Sequence, residues 1–413
     1  MKMRLTRRRF LTATGVTAAG ALAVGATQVN WHDLLSAAEK SPLPPGTGVL
    51  VLVTLYGGND GLNTVIPYAD PAYHDARPEL AYQPDQVLHL DGQLSLNPGL
   101  KGFAGLFADK RLAIVRGVEY PKPDHSHFRS MDIWQTASPG SPASTGWLGR
   151  WLDATGNDPR HAVSFEPVLP VVLAGAGTAG ASVPIGAGKR PPAVQAALSG
   201  FGRQSPGEPP LQARAAHAFA DLLPIDTMIH DLPSPSAATT EASGAAATAT
   251  GGHGALGPQL DLVARCVEAG VATRVFSVSL GGFDLHADEK DAQQRLLTEL
   301  DTAVTGFVHR MAGTPHGRNV VVAIYSEFGR RVRASASQGT DHGTASDVFL
   351  TGTPVKGGFY GSQPSLTDLD NGDLKVSTDF RDVYATLLQD VLGTDPGTVL
   401  AGWSGRLRGV LSD

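Results

Sequence analysis

Four polar clusters interrupt the apolar runs of this 413-residue chain, and each has the residue types of a chemical site. Gly57-Gly58-Asn59-Asp60-Gly61 puts an acid and an amide just past a strand-like run. Asp60 in that place binds a hard cation or caps the next helix, and its glycine neighbours let backbone approach a ligand closely. Asp124-His125-Ser126-His127-Phe128-Arg129 sets a serine between two histidines at a helix start. The pattern suits an activated nucleophile, Ser126, with His125 or His127 moving its proton and Arg129 donating to an anion. It equally suits a helix cap with satisfied histidines. In Gly281-Gly282-Phe283-Asp284-Leu285-His286 the acid and the histidine alternate along an extended chain, so both can face one ion. A turn acid beside a surface histidine has the same pattern. The fourth cluster, Glu327-Phe328-Gly329-Arg330-Arg331 continued by Asp341-His342-Gly343, offers two acids, a histidine and paired arginines. Glu327 with Arg330 as a salt bridge and Asp341 as a turn residue are the plainer readings. Four such clusters, all placed after strands, make four unrelated plain explanations jointly hard to sustain.

The elements that must position these residues are legible as hydrophobic runs. Val49–Leu55, Leu112–Val118, Val275–Leu280 and Val320–Tyr325 read as buried strands, each followed by Gly or polar residues. Helical patterns over Pro98–Lys110, Leu260–Ala269 and Glu289–Ala312 separate them, and this alternation predicts an α/β protein with a largely parallel sheet. Ligands in such sheets lie at the carboxyl ends of the strands, where the clusters fall. Cys266 sits in an apolar helical pattern and reads as a small buried residue; as the lone cysteine it forms no disulfide within the chain.

Residues 1–40 read as an address and lead-in. Thr6 to Leu11 spells TRRRFL and is followed by an uncharged, weakly apolar stretch to Ala26, the pattern of a twin-arginine signal. The stretch is too short and too rich in Thr and Gly for a membrane span, which needs about 20 strongly apolar residues. Expected from this are export in the folded state by the twin-arginine machinery, a periplasmic, cell-envelope or extracellular location, and no stable membrane span after processing. Residues 46–413 read as a single domain, with a low-complexity surface loop at 234–254 in which His253 is solvated. A net charge of −6 and a pI near 6.1, with no basic run beyond the first ten residues, argue against a nucleic-acid partner.

The motifs LYGGNDGLNTVIPY, SHFRSMDIWQT, TGWLGRWLD, GGFDLHADE, YSEFGRRV, GTDHGTA and STDFRDVYATLL resemble the bacterial proteins grouped as domain of unknown function 1501, in the alkaline phosphatase-like and sulfatase-like clan. The resemblance covers roughly residues 49–153 and 275 onward. It implies a three-layer alkaline phosphatase-like fold, a central mostly parallel sheet flanked by helices, with a metal site at the strand ends. By that resemblance Asp60 is the first-strand ligand, Ser126 the nucleophile, Asp284 and His286 the Asp and His pair at closer spacing than usual, and His342 the final histidine. Glu327 falls where an Asp of an Asp-His-Gly motif is expected, and Asp341 is the acid beside His342. Phe328 replaces the expected histidine, which weakens or removes a second metal, and no Cys-x-Pro-x-Arg sulfatase signature is present. The expectation is an exported metal-dependent hydrolase of phosphate or related anionic esters. A divalent ion, zinc or manganese, polarises an oxygen there, and Arg129 or Arg330 steadies the developing charge. Small anionic esters or a cell-envelope substrate are the implied partners. The alternative is a non-catalytic exported binding or structural protein that retains the fold.

Overall fold

The computed structural model describes residues 41–166, 168–183 and 255–412, together with residues 27–28, 34, 38 and 40. The twin-arginine segment and the 234–254 loop, with His253, lie outside the described residues.

The run Val49–Leu55 has no polar face to give to water, so both its faces must be covered. It forms strand β1, with Val49, Val51, Val53 and Leu55 in one core and Leu50 and Leu52 in the other. After β1 come helix α1 (Pro71–Ala76), helix α2 (Lys101–Ala108), strand β2 (Leu112–Glu119), and helices α3 (His127–Thr136) and α4 (Trp147–Ala154). Short strands β3 (Ala162–Ser164) and β4 (Ala181–Ser182) precede helix α5 (Leu256–Glu268), strand β5 (Val275–Leu280), the 24-residue helix α6 (Glu289–Ala312) and strand β6 (Val320–Ser326). Strands β7 (Ser346–Gly352), β8 (Gly358–Tyr360) and β9 (Thr378–Asp379) and helices α7 (Phe380–Thr386) and α8 (Pro396–Val399) complete the chain.

The sheet runs β4-β3-β5-β1-β6-β7-β2-β8, with Thr27–Gln28 beside β4 and β9 beside β2. All neighbours are parallel except those of β7, which runs antiparallel to both β6 and β2. Helices α2, α5 and α6 cover one face and α3, α4, α7 and α8 the other, giving three layers. Helix α6 is held by a stripe at helical spacing, Leu297, Leu300, Val304, Phe307, Val308 and Met311, all buried. Each such side chain contributes about 1.5–3 kcal/mol, so truncating Leu300 to Ala at the middle of the stripe costs about 2–5 kcal/mol. Asp291 in its first turn and Arg310 in its last suit the helix dipole. Cys266 is fully buried on α5, where burial pushes its thiol well up.

Strands β1, β5 and β6 are adjacent and parallel, so their carboxyl ends share one edge. Strand β2 points the same way, because it is antiparallel to β7, which is antiparallel to β6. The antiparallel course of β7 also makes the connection from β6 turn back at that edge. All four polar clusters therefore reach the same end of the sheet. No helix among the described residues is long and apolar enough to cross a membrane.

Candidate metal centre

Three imidazoles and a guanidinium converge on one carboxylate oxygen. Asp284, four residues past β5, receives His286 Nε2 at 2.9 Å, Arg330 Nη2 at 2.9 Å, His342 Nε2 at 3.1 Å and His127 Nε2 at 3.3 Å, all on Oδ1. The ligand atoms of His127, Asp284 and His342 lie within 4.8 Å of one another. His286 Nε2 is also 3.1 Å from His342 Nε2.

The far nitrogens fix what the near ones carry. His342 Nδ1 donates to the carbonyl of His125 at 2.7 Å, and a carbonyl only accepts. His127 Nδ1 donates to Glu327 Oε1 at 2.8 Å, an oxygen that also accepts from the backbone N–H of Gly57. Neutral rings held in this way turn Nε2 lone pairs toward the lone pairs of Asp284. His127 Nε2 is buried, and its 3.3 Å approach to Asp284 is not aligned as a hydrogen bond. Lone pairs facing lone pairs need a cation between them, either a proton or a metal ion. An outer nitrogen fixed by a carboxylate or carbonyl is the arrangement that orients a metal-binding histidine.

The electrostatics agree. Burial works against charge on His127, but its pairing with the Asp284 and Glu327 carboxylates outweighs this and raises it to about 9. Burial would raise Asp284, yet the bonds from His127, His342 and Arg330 hold it well below the usual carboxylate range. His286 is lowered, by burial first and by the Arg330 and His342 charges, against the pull of Asp284.

Backbone geometry makes room for this convergence. Gly57 and Gly58 both have positive φ, and a Cβ on Gly58 would lie 2.2 Å from the Phe328 ring. Phe328, fully buried, sits 4.8 Å from the His127 ring and 4.9 Å from the His342 ring, an apolar wall on one side of the cluster. Arg330 is buried and holds the loops in register: it bonds Gly58 O at 2.6 Å, Thr340 O at 2.9 Å, Phe283 O at 3.0 Å and also Gly57 O. Its guanidinium ties three connections together and also contacts Asp284.

The other residues singled out in the sequence take different places. Asp60 does not face the cluster: both its oxygens pair with the buried guanidinium of Arg77, Oδ1 at 3.0 Å from Nη2 and Oδ2 against Nη1. Glu327 is buried behind His127 and orients it, its Oε2 accepting from Ser326. Asp341 is exposed, 3.8 Å from His286 Nδ1 at the rim. Ser126 is the exposed N-cap of α3 with no hydrogen bond from its hydroxyl to a histidine, although its backbone N–H bonds Asp124. His125 pairs with buried Asp373 at 2.9 Å, and Arg129 pairs with Asp132 at 2.7 Å. Arg77 and Asp373 carry no motif signal in the sequence; each is recognisable only once the chain brings it to its partner.

A three-layer α/β fold with a histidine and carboxylate cluster at the carboxyl edge of its parallel strands defines the class of protein. Within that class the chain belongs to the family described as Protein of unknown function (DUF1501), which matches residues 113–413. It is similar to the solved structure of a protein in the alkaline phosphatase superfamily from Vibrio parahaemolyticus, at 9% identity and a TM-score of 0.42, over 94% of this chain and 78% of that one. It is also similar to the phosphonate monoester hydrolase SpPMH from Silicibacter pomeroyi, at 13% identity and a TM-score of 0.34, over 88% of this chain and 76% of that one. Likeness this weak carries no activity across to the chain. No curated protein matches it.

Proposed function

We propose that the chain is an exported, metal-dependent hydrolase of phosphate or related anionic esters, with His127, Asp284 and His342 holding one divalent ion and His286 at its mouth. The observation that carries the reading is the convergence of three Nε2 atoms on Asp284 Oδ1 while the outer nitrogens of His127 and His342 are held by acceptors. Mixed nitrogen and oxygen donors suit zinc or manganese. A bound ion supplies polarisation of an ester oxygen and a lowered pKa for a nucleophile. Glu327 holds the His127 ring in place, Phe328 keeps water from one side, and Arg330 fixes the loops. Asp60 is left out of the ligand set, because Arg77 already neutralises it. Ser126, exposed at the start of α3, is the hydroxyl best placed by sequence to act as nucleophile, with the helix N-terminus favouring an anionic substrate. The twin-arginine pattern at Arg7 and Arg8 supports export in the folded state.

A second reading, a non-catalytic exported binding or structural protein with one ion, is favoured by a specific feature. Phe328 packs an apolar ring against both His127 and His342, and Arg330 already supplies a positive charge to Asp284. Elemental analysis of purified wild type and of His342→Ala, joined to a phosphomonoester and phosphodiester screen, separates the two. Stoichiometric metal in wild type, loss in His342→Ala and metal-dependent turnover support the hydrolase. Metal without turnover on any ester favours the second reading, and a wild type that takes up no ion after reconstitution removes both.

A further inference from the structure

Beneath the metal centre lies a second buried ionic group, formed by Asp60, Arg77 and Glu289. Glu289, the first residue of α6, is 1% exposed. Its Oε2 accepts from the Thr340 hydroxyl at 2.6 Å, and its Oε1 is buried with no donor to satisfy it. The Asp60 carboxylate is near enough to act on it electrostatically. Arg77 supplies one positive charge, and it bonds both Asp60 oxygens as well as the carbonyls of Arg331 and Val332. Two ionised carboxylates against one guanidinium would leave a net buried charge, which a single proton on Glu289 removes.

We propose that Glu289 is a positioning residue that works as the neutral acid, its proton bridging Oε1 to Asp60 while Oε2 seats Thr340 and with it the loop that carries His342. The loop is also fastened around this point, by Ser337 Oγ to His286 O, Arg331 N to Asp341 O and Gly343 N to Gly329 O, but the Glu289 bond is the one a carboxylic acid supplies from the helix. Thr340 receives Arg330 Nη1 on its carbonyl and donates its N–H to Leu285 O, and the first turn of α6 gives the N–H groups of Asp288 and Glu289 to Ser337 O and Gln338 O. Burial, then the charge of Asp60, push Glu289 up to about 9, against the opposing pull of Arg77 and Thr340. The other charged or titratable groups facing it are Asp60 and Arg77 from the loops after β1 and α1, and Tyr82, whose hydroxyl burial pushes up to about 12.

The sign follows from linkage. The unfolded chain releases this proton near the ordinary glutamate value of about 4.3, whereas the folded protein keeps it until about pH 9. Stability is therefore lost as pH rises between those values. The test uses metal-free full-length protein, so it stands whether or not the metal centre is real. Urea unfolding between pH 5 and 9 is compared for wild type and Glu289→Gln, whose amide imitates the neutral acid. The unfolding constant of wild type is expected to climb about tenfold per pH unit more steeply than that of the variant. Hydrogen exchange at pH 7 adds the rescue: protection of residues 335–343 persists in Glu289→Gln and is lost in Glu289→Ala. Parallel pH slopes, or equal loss of loop protection in the Gln and Ala variants, overturn the proposal; if Glu289→Ala fails to fold, the slopes alone decide.

Discussion

The two ionic clusters at this edge of the sheet are built from similar residue types and differ in what is left over. Around Asp60 the donors and acceptors match once Glu289 is protonated as proposed: a guanidinium covers one carboxylate, the proton accounts for the other, and neither group opens to solvent. Around Asp284 they are not matched. Four nitrogens crowd one oxygen, the His127 Nε2 atom among them without an aligned hydrogen bond, and the His286 side chain is 46% exposed. A saturated buried cluster holds chain segments together, whereas an unsaturated one with an open side has capacity for a ligand. The contrast also explains why acids that look alike in sequence, Asp60 and Asp284, come to different ends.

That contrast can be broken most severely at Arg77. Replacing it with Met strands the Asp60 charge in the interior and is expected to cost about 3–5 kcal/mol of stability in urea unfolding. Metal content, measured on the fraction that remains folded, should be unchanged; loss of the ion in step with folding would mean the two clusters are one. Glu327→Gln tests the opposite cluster, since a weaker acceptor behind His127 should lower metal affinity by about 10–100-fold in a chelator competition. Unaltered affinity would show that the ring is oriented without it. Proton competition gives the next effect. His127 is raised to about 9 in the metal-free protein, so its imidazolium stabilises the fold fully below its ordinary value and loses that contribution as pH rises through about 9. An ion must displace that proton, and affinity should weaken by about tenfold for each pH unit below 9. A flat affinity between pH 7 and 9 would place the ion elsewhere. The smallest change is expected from Asp341→Asn: exposed at the rim, it should alter stability by no more than about 0.5 kcal/mol and leave the metal content intact. A large loss of metal in this variant would bring Asp341 into the ligand set.

Much of the scaffold is legible in the amino-acid sequence, for a physical reason. Strands covered on both faces must be continuously apolar, so β1 and β5 emerge with their observed ends, and α6 begins at Glu289 and ends at Ala312 as its spacing predicts. Strand β7 is not recognised, because Ser346 and Asp347 break its apolar run and nothing local marks its antiparallel course. The same division holds at the site. Clusters at strand ends are visible, but which atoms meet is not. The partner of Asp60 is an arginine 17 residues on in an unremarked turn, and the partner of His125 is an aspartate 248 residues away. Such pairings depend on how loops cross at the sheet edge, which residue types at short spacing do not encode.

The groups at this edge are distant along the chain: His127 and Glu327 are 200 residues apart, and His342 follows Asp284 by 58. An ion gripping His127, Asp284 and His342 would act as a removable cross-link, closing long loops at one point as a disulfide does. The entropy withheld from the unfolded chain grows only slowly with loop length but is already substantial at these separations. For a chain whose single cysteine permits no internal disulfide, that edge of the sheet is where a covalent-like staple could be fastened and released by chemistry alone.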